Sequence, residues 1–277
     1  TGKTPIAAWI AGTLQQQGLR PAVLLRGYGR DEPLVHQRLN PRIPVVANPD
    51  RVAGASAARA QGATAFVLDD GFQHRRVQRA LDIVLVAAEQ WRSRRVLPAG
   101  PLREGLGALR RAHVIVVTRK SASRADAVAA AAEWTAFAGS PPSVVISLVP
   151  GELRPALPDD ATAPMDAAAL GGHSVLAVSA IGAPAAFEAQ LGALGARVQG
   201  AAYADHHGFT DSDVTNLAAR AASVDYVVCT LKDAVKLGPR WPRQAPRLWY
   251  LSQAVVLEDG ARHLEDALRR LTTGGSR

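Results

Sequence analysis

The first residues of the chain carry a motif fragment that points to phosphate chemistry. Gly2, Lys3 and Thr4 match the last third of a P-loop, G-x-x-x-x-G-K-[ST]. In that motif, backbone N–H groups and the lysine hold phosphate oxygens, and the threonine hydroxyl binds Mg²⁺ at a helix N-terminus. Pro5 stands where the first turn of such a helix tolerates a missing N–H. A tripeptide also arises by chance, so the fragment needs support from elsewhere in the chain.

A second candidate is a pair of acids after a short apolar run. Residues 65–68 are predicted to form a strand, and Asp69, Asp70 and Gly71 follow it. Carboxylates at the end of such a strand hold Mg²⁺ or its waters opposite the P-loop threonine. The alternative is a surface Asp-Asp-Gly turn, which is common. The upstream P-loop fragment favours the metal interpretation.

A third candidate is a loop dense in proline and glycine. Residues 97–104 read Leu-Pro-Ala-Gly-Pro-Leu-Arg-Glu and end in Arg103 and Glu104. The loop follows a predicted strand, and ligands bind at the carboxyl edge of the sheet in open α/β folds. Arg103 is therefore a candidate to hold a phosphate, and Glu104 a candidate to assist the metal. Taken alone, the same string is a turn followed by the start of a helix.

Two adjacent histidines form a fourth candidate. His206 and His207 follow Asp205, just before a predicted helix. A zinc site is disfavoured, because neighbouring residues seldom ligate one ion and no further Cys or His lies at ligand spacing. A structural histidine and a general base for an accepting hydroxyl remain equal alternatives at this point.

The last candidate is the segment Thr-Leu-Lys-Asp-Ala-Val-Lys at residues 230–236. It follows a predicted strand, at a place where a nucleotide could be contacted. Its threonine is equally suited to cap the helix that comes next.

Short β-branched runs alternate with Ala-rich helical patterns along the chain. The predicted strands are residues 21–25, 44–47, 65–68, 83–87, 114–118, 144–148, 174–178, 226–229 and 247–251. The predicted helices are residues 4–17, 50–61, 125–136, 184–194, 211–222 and 264–271. This alternation predicts βαβ units and mostly parallel sheets covered by helices on both faces, an α/β fold of α/β/α layers.

One stretch breaks the alternation and suggests a domain boundary. Residues 150–172 contain four prolines and little periodicity, which is typical of a connection between domains. We therefore predict a P-loop lobe at residues 1–150, a linker at 151–172 and a smaller α/β/α lobe at 173–277. The last predicted helix, residues 264–271, could instead pack against the first lobe.

The amino-acid composition indicates which classes of protein this chain can belong to. With 277 residues and 48% hydrophobic residues the chain can fill a core, and its single cysteine, Cys229, excludes an internal disulfide framework. The net charge of +8 and the clustered arginines suit an anionic partner, although solvated surface charge explains them equally well. No apolar run is long enough to span a bilayer. Because the chain opens inside a motif and without Met, we expect residues that precede Thr1, which could include a membrane anchor.

Together these motifs resemble the tetraacyldisaccharide 4′-kinase family, the lipid A 4′-kinases. The similarity covers nearly the whole chain, and the Asp-Asp-Gly-Phe-Gln-His and Leu-Pro-Ala-Gly-Pro-Leu-Arg-Glu strings are its most specific parts. The matching stretches are residues 1–5, 26–29, 31–33, 69–74, 97–104, 182, 205–207 and 230–236.

The resemblance implies a P-loop NTPase-like fold of two lobes and an ATP- and Mg²⁺-dependent kinase. Its acceptor would be the 4′-hydroxyl of a tetraacylated glucosamine disaccharide 1-phosphate, in lipid A biosynthesis. The implied location is the cytoplasmic face of the bacterial inner membrane, against an anionic surface. Neither nucleic acid nor an obligate protein partner is expected.

The resemblance also implies roles for individual residues. Nucleotide contacts are expected from Thr1, Gly2, Lys3, Thr4 and Pro5, and an acidic metal site from Thr4, Asp69, Asp70 and Glu104. Substrate or γ-phosphate contacts are expected from Arg26, Gln73, His74 and Arg103. Catalysis is expected from Lys3 and from His206 as the base, with Asp31 as its carboxylate partner.

Three departures from the family pattern stand out. The leading Gly-rich half of the P-loop and the family's N-terminal membrane segment are absent from the sequence, so membrane anchoring cannot be predicted from it. The segment between Tyr28 and Asp31 is shorter than the usual loop, which weakens the placement of Asp31. The usual Thr-Glu-Lys-Asp reads Thr-Leu-Lys-Asp at residues 230–233, so any role of that glutamate is lost or moved.

Two other classes of protein fit the sequence less well. A GTPase needs an Asn-Lys-x-Asp guanine motif, which the sequence lacks, whereas another P-loop enzyme with a different anionic substrate remains an alternative. A basic nucleic-acid-binding module needs aromatics interleaved with its arginines. The few aromatic residues of this chain are scattered instead.

Overall fold

Helices and strands alternate along the computed structural model, which describes residues 2–27, 29, 31–100 and 102–273. The strands are β1 (Pro21–Leu25), β2 (Val45–Ala47), β3 (Ala65–Leu68), β4 (Ile83–Ala87), β5 (Val114–Arg119), β6 (Ser143–Pro155), β7 (Met165–Asp166), β8 (Ser174–Ser179), β9 (Arg197–Ala202), β10 (Tyr226–Thr230) and β11 (Leu248–Leu257). The helices are α1 (Lys3–Gln16), α2 (Asp31–Leu39), α3 (Arg51–Ala60), α4 (Arg124–Ala138), α5 (Pro184–Ala193), α6 (Asp211–Ala221), α7 (Leu231–Leu237) and α8 (Ala261–Thr273). The predicted α/β class, with a mostly parallel sheet, is confirmed.

The chain divides into two units that are not continuous in sequence. Unit 1 comprises residues 1–29, 39–149 and 255–277, and unit 2 comprises residues 30–38 and 150–254. Strands β6 and β11 each have residues in both units.

Unit 1 contains two sets of parallel strands. β1 lies between β2 and β3 in one set, and β5 lies between β4 and β6 in the other. Helices α1 and α8 bury Ile6, Leu14, Leu264 and Leu268 against these strands. Each such side chain contributes about 1.5–3 kcal/mol when it is removed from water, so α8 is held in unit 1 by its apolar face.

Unit 2 has a parallel core in which β8 lies between β9 and β10, and β10 pairs with β11. Central residues such as Leu176, Val178, Val227 and Val228 are fully buried. These runs are apolar without alternation because parallel strands are covered on both faces. Polar residues in unit 2 are therefore concentrated where the strands end.

The predicted linker is part of unit 2. β6 continues to Pro155 and pairs with β7 in antiparallel register, Leu153 opposite Met165. Leu153 is fully buried, so tertiary packing outweighs the local signal of the prolines. The division between the units consequently differs from the predicted one, and residues 255–277 lie in unit 1.

Helix α2 and strand β9 are among the elements that the sequence patterns missed. Helix α2 buries only Asp31, Val35 and His36, which leaves too few apolar positions for a periodic signal. Strand β9 is mostly exposed, as edge strands with polar side chains often are.

No described helix combines the length and the apolar character needed to cross a membrane.

Candidate active site

Helix α1 begins at the P-loop fragment. Gly2 precedes it with φ 65° and ψ 32°, a backbone conformation that favours glycine. A Cβ on Gly2 would approach a leucine side chain of β6 to 2.3 Å. Lys3, Thr4 and Pro5 form the first turn, where helical N–H groups lack helical partners and attract anions. Thr1, predicted to contact the nucleotide, lies outside the described residues.

Asp69 and Asp70 lie at the carboxyl end of β3. The backbone N–H of Asp69 donates to the carbonyl of Leu24 in β1 at 3.2 Å, which ties this acid to the sheet. Asp69 is buried and Asp70 is exposed. A Cβ on Gly71 would lie 2.5 Å from the Cβ of Leu68, so the turn that presents these acids requires glycine.

Asp70 joins two of the sequence motifs through its carboxylate. Its Oδ1 accepts a hydrogen bond from Lys3 Nζ at 2.9 Å, and its Oδ2 accepts one from Arg103 Nη1. Burial by itself raises the pKa of Asp70, but the hydrogen bonds and charges of Lys3 and Arg103 outweigh it and lower the pKa below the ordinary value. The carboxylate is therefore held in its charged form beside the P-loop lysine.

The loop that carries Arg103 is anchored by a second ion pair. Glu104 Oε2 accepts a hydrogen bond from Arg111 Nη2 at 2.5 Å, and the guanidinium of Arg111 lies 4.5 Å from the centre of the Phe72 ring. Gln73 Nε2 donates to the carbonyl of Arg103 at 3.5 Å. Two strings about thirty residues apart are thus brought together in unit 1.

Two other predicted substrate residues lie in unit 1. Arg26 follows β1 and is exposed. The Nε2 atom of His74 is buried and has no hydrogen-bond partner within the described part of the chain. A buried unsatisfied polar atom usually has a specific reason, such as a ligand or an unplaced water.

The metal site predicted from Thr4, Asp69, Asp70 and Glu104 remains a prediction. No group of three or more His, Cys, Asp or Glu side chains spaced for a metal occurs among residues 2–27, 29, 31–100 and 102–273. Glu104 is paired with Arg111 instead. Mg²⁺ typically takes only one or two carboxylates together with substrate phosphates and water, so Thr4, Asp69 and the ionised Asp70 still provide suitable hard oxygen ligands.

In unit 2, His206 lies between two carboxylates. Its Nδ1 is 3.6 Å from Asp31 Oδ2, and its Nε2 is 3.8 Å from Asp205 Oδ1. Asp31 is buried, whereas the imidazole of His206 is about half exposed. The structure thus brings together the two residues that the resemblance paired, although helix α2 itself was not predicted.

Backbone strain marks both candidate sites. The described non-glycine residues with positive φ are Asp70, Ser140 and His206. Such conformations cost of order 1–3 kcal/mol and concentrate at functional sites. Two of these three residues were predicted to act in catalysis or metal binding.

His207 has a different environment from His206. Its Nε2 lies 3.0 Å from Asp213 Oδ2, and its ring stacks on Tyr203 with centroids 4.9 Å apart. Asp213 also accepts hydrogen bonds from the backbone and hydroxyl of Thr210 and completes the capping box of α6. The hydrogen bond from His207, followed by those from Thr210, lowers the pKa of Asp213 from 3.8 to about 2. His207 is thus held by Asp213 and Tyr203, and His206 is the more exposed of the two histidines.

The segment at 230–236 caps a helix. Thr230 is the N-cap of α7 and accepts a hydrogen bond from the backbone of Asp233. The fully buried carboxylate of Asp233 accepts a hydrogen bond from the backbone of Ala180 at 3.0 Å and pairs with Lys236 Nζ at 3.1 Å. Lys236 also donates to the carbonyl of His207 at 3.1 Å. This network supports the loop that carries the two histidines.

Sequence reasoning missed Asp213 and Arg111 as supporting residues. The Thr-x-x-Asp spacing of Thr210 and Asp213 is a capping-box signal and could have revealed the first. Nothing distinguishes Arg111 from its neighbours before the chain is folded.

Fold and site together define an α/β P-loop kinase. Among solved structures, the chain is similar to a crystal structure described as an "apo" form of LpxK from Aquifex aeolicus in complex with ATP. The TM-score is 0.73 at 26% sequence identity, and the match covers 98% of this chain and 84% of that one.

The profile of the family described as tetraacyldisaccharide-1-P 4′-kinase matches residues 1–272, and the chain belongs to this family. A tetraacyldisaccharide 4′-kinase from Syntrophus aciditrophicus is 36% identical over 273 residues, covering 86% of this chain and 72% of the relative. One from Alkalilimnicola ehrlichii is 36% identical over 292 residues, covering 98% and 80%.

Proposed function

We propose that the protein transfers the γ-phosphate of ATP to the 4′-hydroxyl of a tetraacylated glucosamine disaccharide 1-phosphate. One observation carries the proposal: Lys3, Asp70 and Arg103, from three separate motifs, meet at the N-terminus of α1. Family membership supplies the acceptor, and the ATP-bound relative supports ATP as the donor.

Unit 1 provides the groups for the phosphate donor. Backbone N–H groups of the first turn of α1 and the ammonium of Lys3 would hold β- and γ-phosphate oxygens. Asp70 holds Lys3 and Arg103 in place before ATP binds. When phosphate oxygens arrive, the two cations can turn toward the charge that develops during transfer.

The oxygen ligands of Thr4, Asp69 and Asp70 would hold Mg²⁺, which neutralises charge on the β- and γ-phosphates when it is bound. Glu104 is assigned to positioning, since its carboxylate is bound to Arg111.

Unit 2 provides the base for the acceptor. As the acceptor oxygen bonds to the γ-phosphorus, the bond from that phosphorus to the β–γ bridging oxygen breaks and ADP leaves. The hydroxyl proton passes to His206. Asp31 lies 3.6 Å from Nδ1 and Asp205 lies 3.8 Å from Nε2, so both carboxylates would stabilise the imidazolium that forms.

The test is transfer of ³²P from [γ-³²P]ATP to a tetraacyl disaccharide 1-phosphate in mixed micelles. We expect label at the 4′ position and no label in a 4′-deoxy analogue. ATP turnover without labelled lipid, or label on another hydroxyl, would contradict the proposed acceptor.

A basic and apolar surface of unit 1 is suited to a membrane that contains this substrate. We call it the docking patch and define it by Arg92, Arg94, Arg95, Val96, Leu97 and Phe137. Leu97 is 58% exposed, and Val96 and Phe137 are also exposed. The guanidinium of Arg94 lies over the ring of Phe137 at 4.9 Å, and that of Arg92 over Trp91 at 5.1 Å.

This combination fits an anionic bilayer. Each arginine near such a surface contributes about 1 kcal/mol, and apolar side chains insert at the headgroup boundary. A second pair of basic residues, Arg110 and Arg111, lies outside the patch, and Arg111 is bound to Glu104. We therefore assign the docking patch to the cytoplasmic face of a bacterial inner membrane, and we expect neither nucleic acid nor an obligate protein partner.

A further inference from the structure

The loop between β9 and α6, residues 203–210, presents His206 in a left-handed backbone conformation with φ 60°. A residue other than glycine keeps such a conformation only where the surrounding structure holds it there. The imidazole of His206 is about half exposed, so its own packing supplies few of the contacts required. The contacts that fix the backbone of His206 must therefore come from neighbouring segments.

Two hydrogen bonds hold the backbone of this loop on either side of the His206 side chain. The backbone N–H of His206 donates to the carbonyl of Ala180, which directly follows β8, at 3.2 Å. The ammonium of Lys236, in α7, donates to the carbonyl of His207 at 3.1 Å. The two bonds enclose a stretch of two residues, so together they restrict the backbone angles of His206.

Both of these bonds depend on the carboxylate of Asp233. Asp233 is fully buried, and the hydroxyl of Thr230 donates to its Oδ2 at 2.7 Å. The same Oδ2 accepts a hydrogen bond from the backbone of Ala180 at 3.0 Å, and Oδ1 lies 3.1 Å from Lys236 Nζ. One buried carboxylate thus sets the positions of the two groups that hold the loop.

Stability alone does not account for the charges of Asp233 and Lys236. Taking two charges out of water costs about as much as their attraction returns, and uncharged pairs of similar volume are often equally stable. The ammonium of Lys236 also lies 5.2 Å from the centre of the Phe209 ring, a contact that an apolar side chain could replace. The hydrogen bond to the carbonyl of His207 is the contact that requires a donor at this position.

We propose that Lys236 is a positioning residue for His206 and that Asp233 directs the ammonium of Lys236 to the loop. The inference rests on the proposed function, in which His206 takes the proton of the acceptor hydroxyl. The imidazole must stay 3.6 Å from Asp31, which belongs to the separate helix α2. A displacement of about 1 Å can lower a rate by about 100-fold, so the position of the loop backbone affects proton transfer directly.

A double variant tests this role without leaving a buried charge unpaired. Asp233→Asn combined with Lys236→Met removes the donor to His207, and the asparagine oxygen can still accept from Ala180. We expect its thermal midpoint to stay within about 5 °C of that of the parent protein. Its kcat for ³²P transfer should fall by about 10- to 100-fold with an unchanged KM for ATP. Lys236→Arg, which retains donors for both partners, should keep most of the parental kcat.

Arg240→Met is the matched control. Arg240 also donates to a carbonyl of this loop, that of Phe209, but Phe209 is buried and lies beyond His207. This variant should therefore keep a kcat close to the parental value. Hydrogen exchange provides a readout without kinase activity: amides of residues 205–208 should exchange about 10-fold faster in the double variant, and those of β10 should not change.

A parental kcat in the double variant would overturn the proposal, whether or not the loop exchanges faster. Equal losses of kcat in the double variant and in Lys236→Arg or Arg240→Met would also overturn it, as would a thermal midpoint lowered by more than about 10 °C in the double variant, because these results identify a merely structural contribution. If the parent protein does not label the lipid, the proposed function fails. Unchanged exchange of residues 205–208 would in that case still overturn the role of Lys236 in holding the loop.

Discussion

At the scale of single residues, Lys3 illustrates how one side chain serves two states. Without nucleotide it is bound to the carboxylate of Asp70 at 2.9 Å. A phosphate oxygen competes for the same ammonium, and the ionised Asp70 keeps it near the N-terminus of α1. The ion pair between Asp70, which follows β3, and Lys3 of α1 therefore keeps the lysine close to the place where phosphate is proposed to bind.

Lys3→Ala should lower kcat by about 100-fold or more, because preorganised charge aimed at a developing anion is worth about 3–4 kcal/mol. Lys120→Ala is the matched control, since that lysine is exposed, and it should leave kcat unchanged. The measurement is steady-state ³²P transfer with ATP varied. A near-normal kcat in Lys3→Ala would exclude the assigned role.

The two histidines give a sharper residue-scale prediction. His206→Ala should lower kcat by about 100- to 10,000-fold with little change in the KM for ATP, as expected for loss of a general base. His207→Ala should instead lower the thermal midpoint, because it removes the partner of Asp213 and the stacking on Tyr203. Both parameters are measured for both variants; a stable but inactive His207→Ala beside an active His206→Ala would reverse the assignment.

At the scale of elements, helix α6 depends on its cap. The Asp213 carboxylate accepts hydrogen bonds from His207 and from Thr210, so it fixes the start of the helix and the preceding loop together. Loss of a cap is among the few ways in which a surface substitution destabilises a protein strongly.

The pH dependence of this cap can be predicted in sign. The pKa of Asp213 is lowered to about 2 from an ordinary 3.8, so the ionised carboxylate stabilises the fold above about pH 4 and this contribution is lost as the pH falls toward 2. The free energy of unfolding of Asp213→Asn should therefore be lower than that of the parent protein at pH 6, and the difference should shrink below pH 4. Urea denaturation between pH 6 and pH 3 measures it.

Asp211→Asn provides the control for that experiment. Asp211 is in the same helical turn, but its side chain is 98% exposed, and exposed ion pairs contribute little. The change in the free energy of unfolding caused by Asp211→Asn should be small at every pH. A difference for Asp213→Asn that stays constant from pH 6 to pH 3 would contradict the assigned cause.

At the scale of the whole molecule, part of the net charge of +8 is concentrated in the docking patch. The docking patch combines exposed apolar side chains with three arginines, of which Arg94 is paired with Glu133. Arg119 and Arg124, outside the patch, are paired with Glu258 and Asp259. The net charge attracts the whole protein to an anionic membrane, whereas the docking patch determines which surface of the protein faces that membrane.

Arg92→Gln combined with Arg95→Gln should reduce co-sedimentation with vesicles of anionic phospholipid by about 10-fold or more, at roughly 1 kcal/mol for each arginine. Binding of the parent protein should weaken with salt and be weak on neutral vesicles. Arg262→Gln combined with Arg269→Gln, on the exposed side of α8, is the charge-matched control. Equal loss in both double variants would show that net charge, and not the patch, is responsible.

The sequence by itself determined the chemistry and most of the elements. Strong signals, such as the apolar runs of β1 and β10 or the Gly-Lys-Thr start of α1, are local, because strand burial and helix capping depend on neighbouring residues. The family strings around Asp69, Arg103 and His206 are likewise contiguous. These features could therefore be predicted without a fold.

Only the tertiary structure decided which residues meet. Asp31 and His206 are far apart in sequence, and their approach depends on α2, a helix whose few buried residues give no periodic signal. Glu104 was expected to bind metal, but folding places Arg111 beside it. Residues 151–172 were expected to be a linker, but the burial of Leu153 makes part of them a strand. The outcomes for Asp31 and Leu153 rest on contacts between segments that are distant in sequence, whose energies exceed local propensities and cannot be read from spacing along the chain.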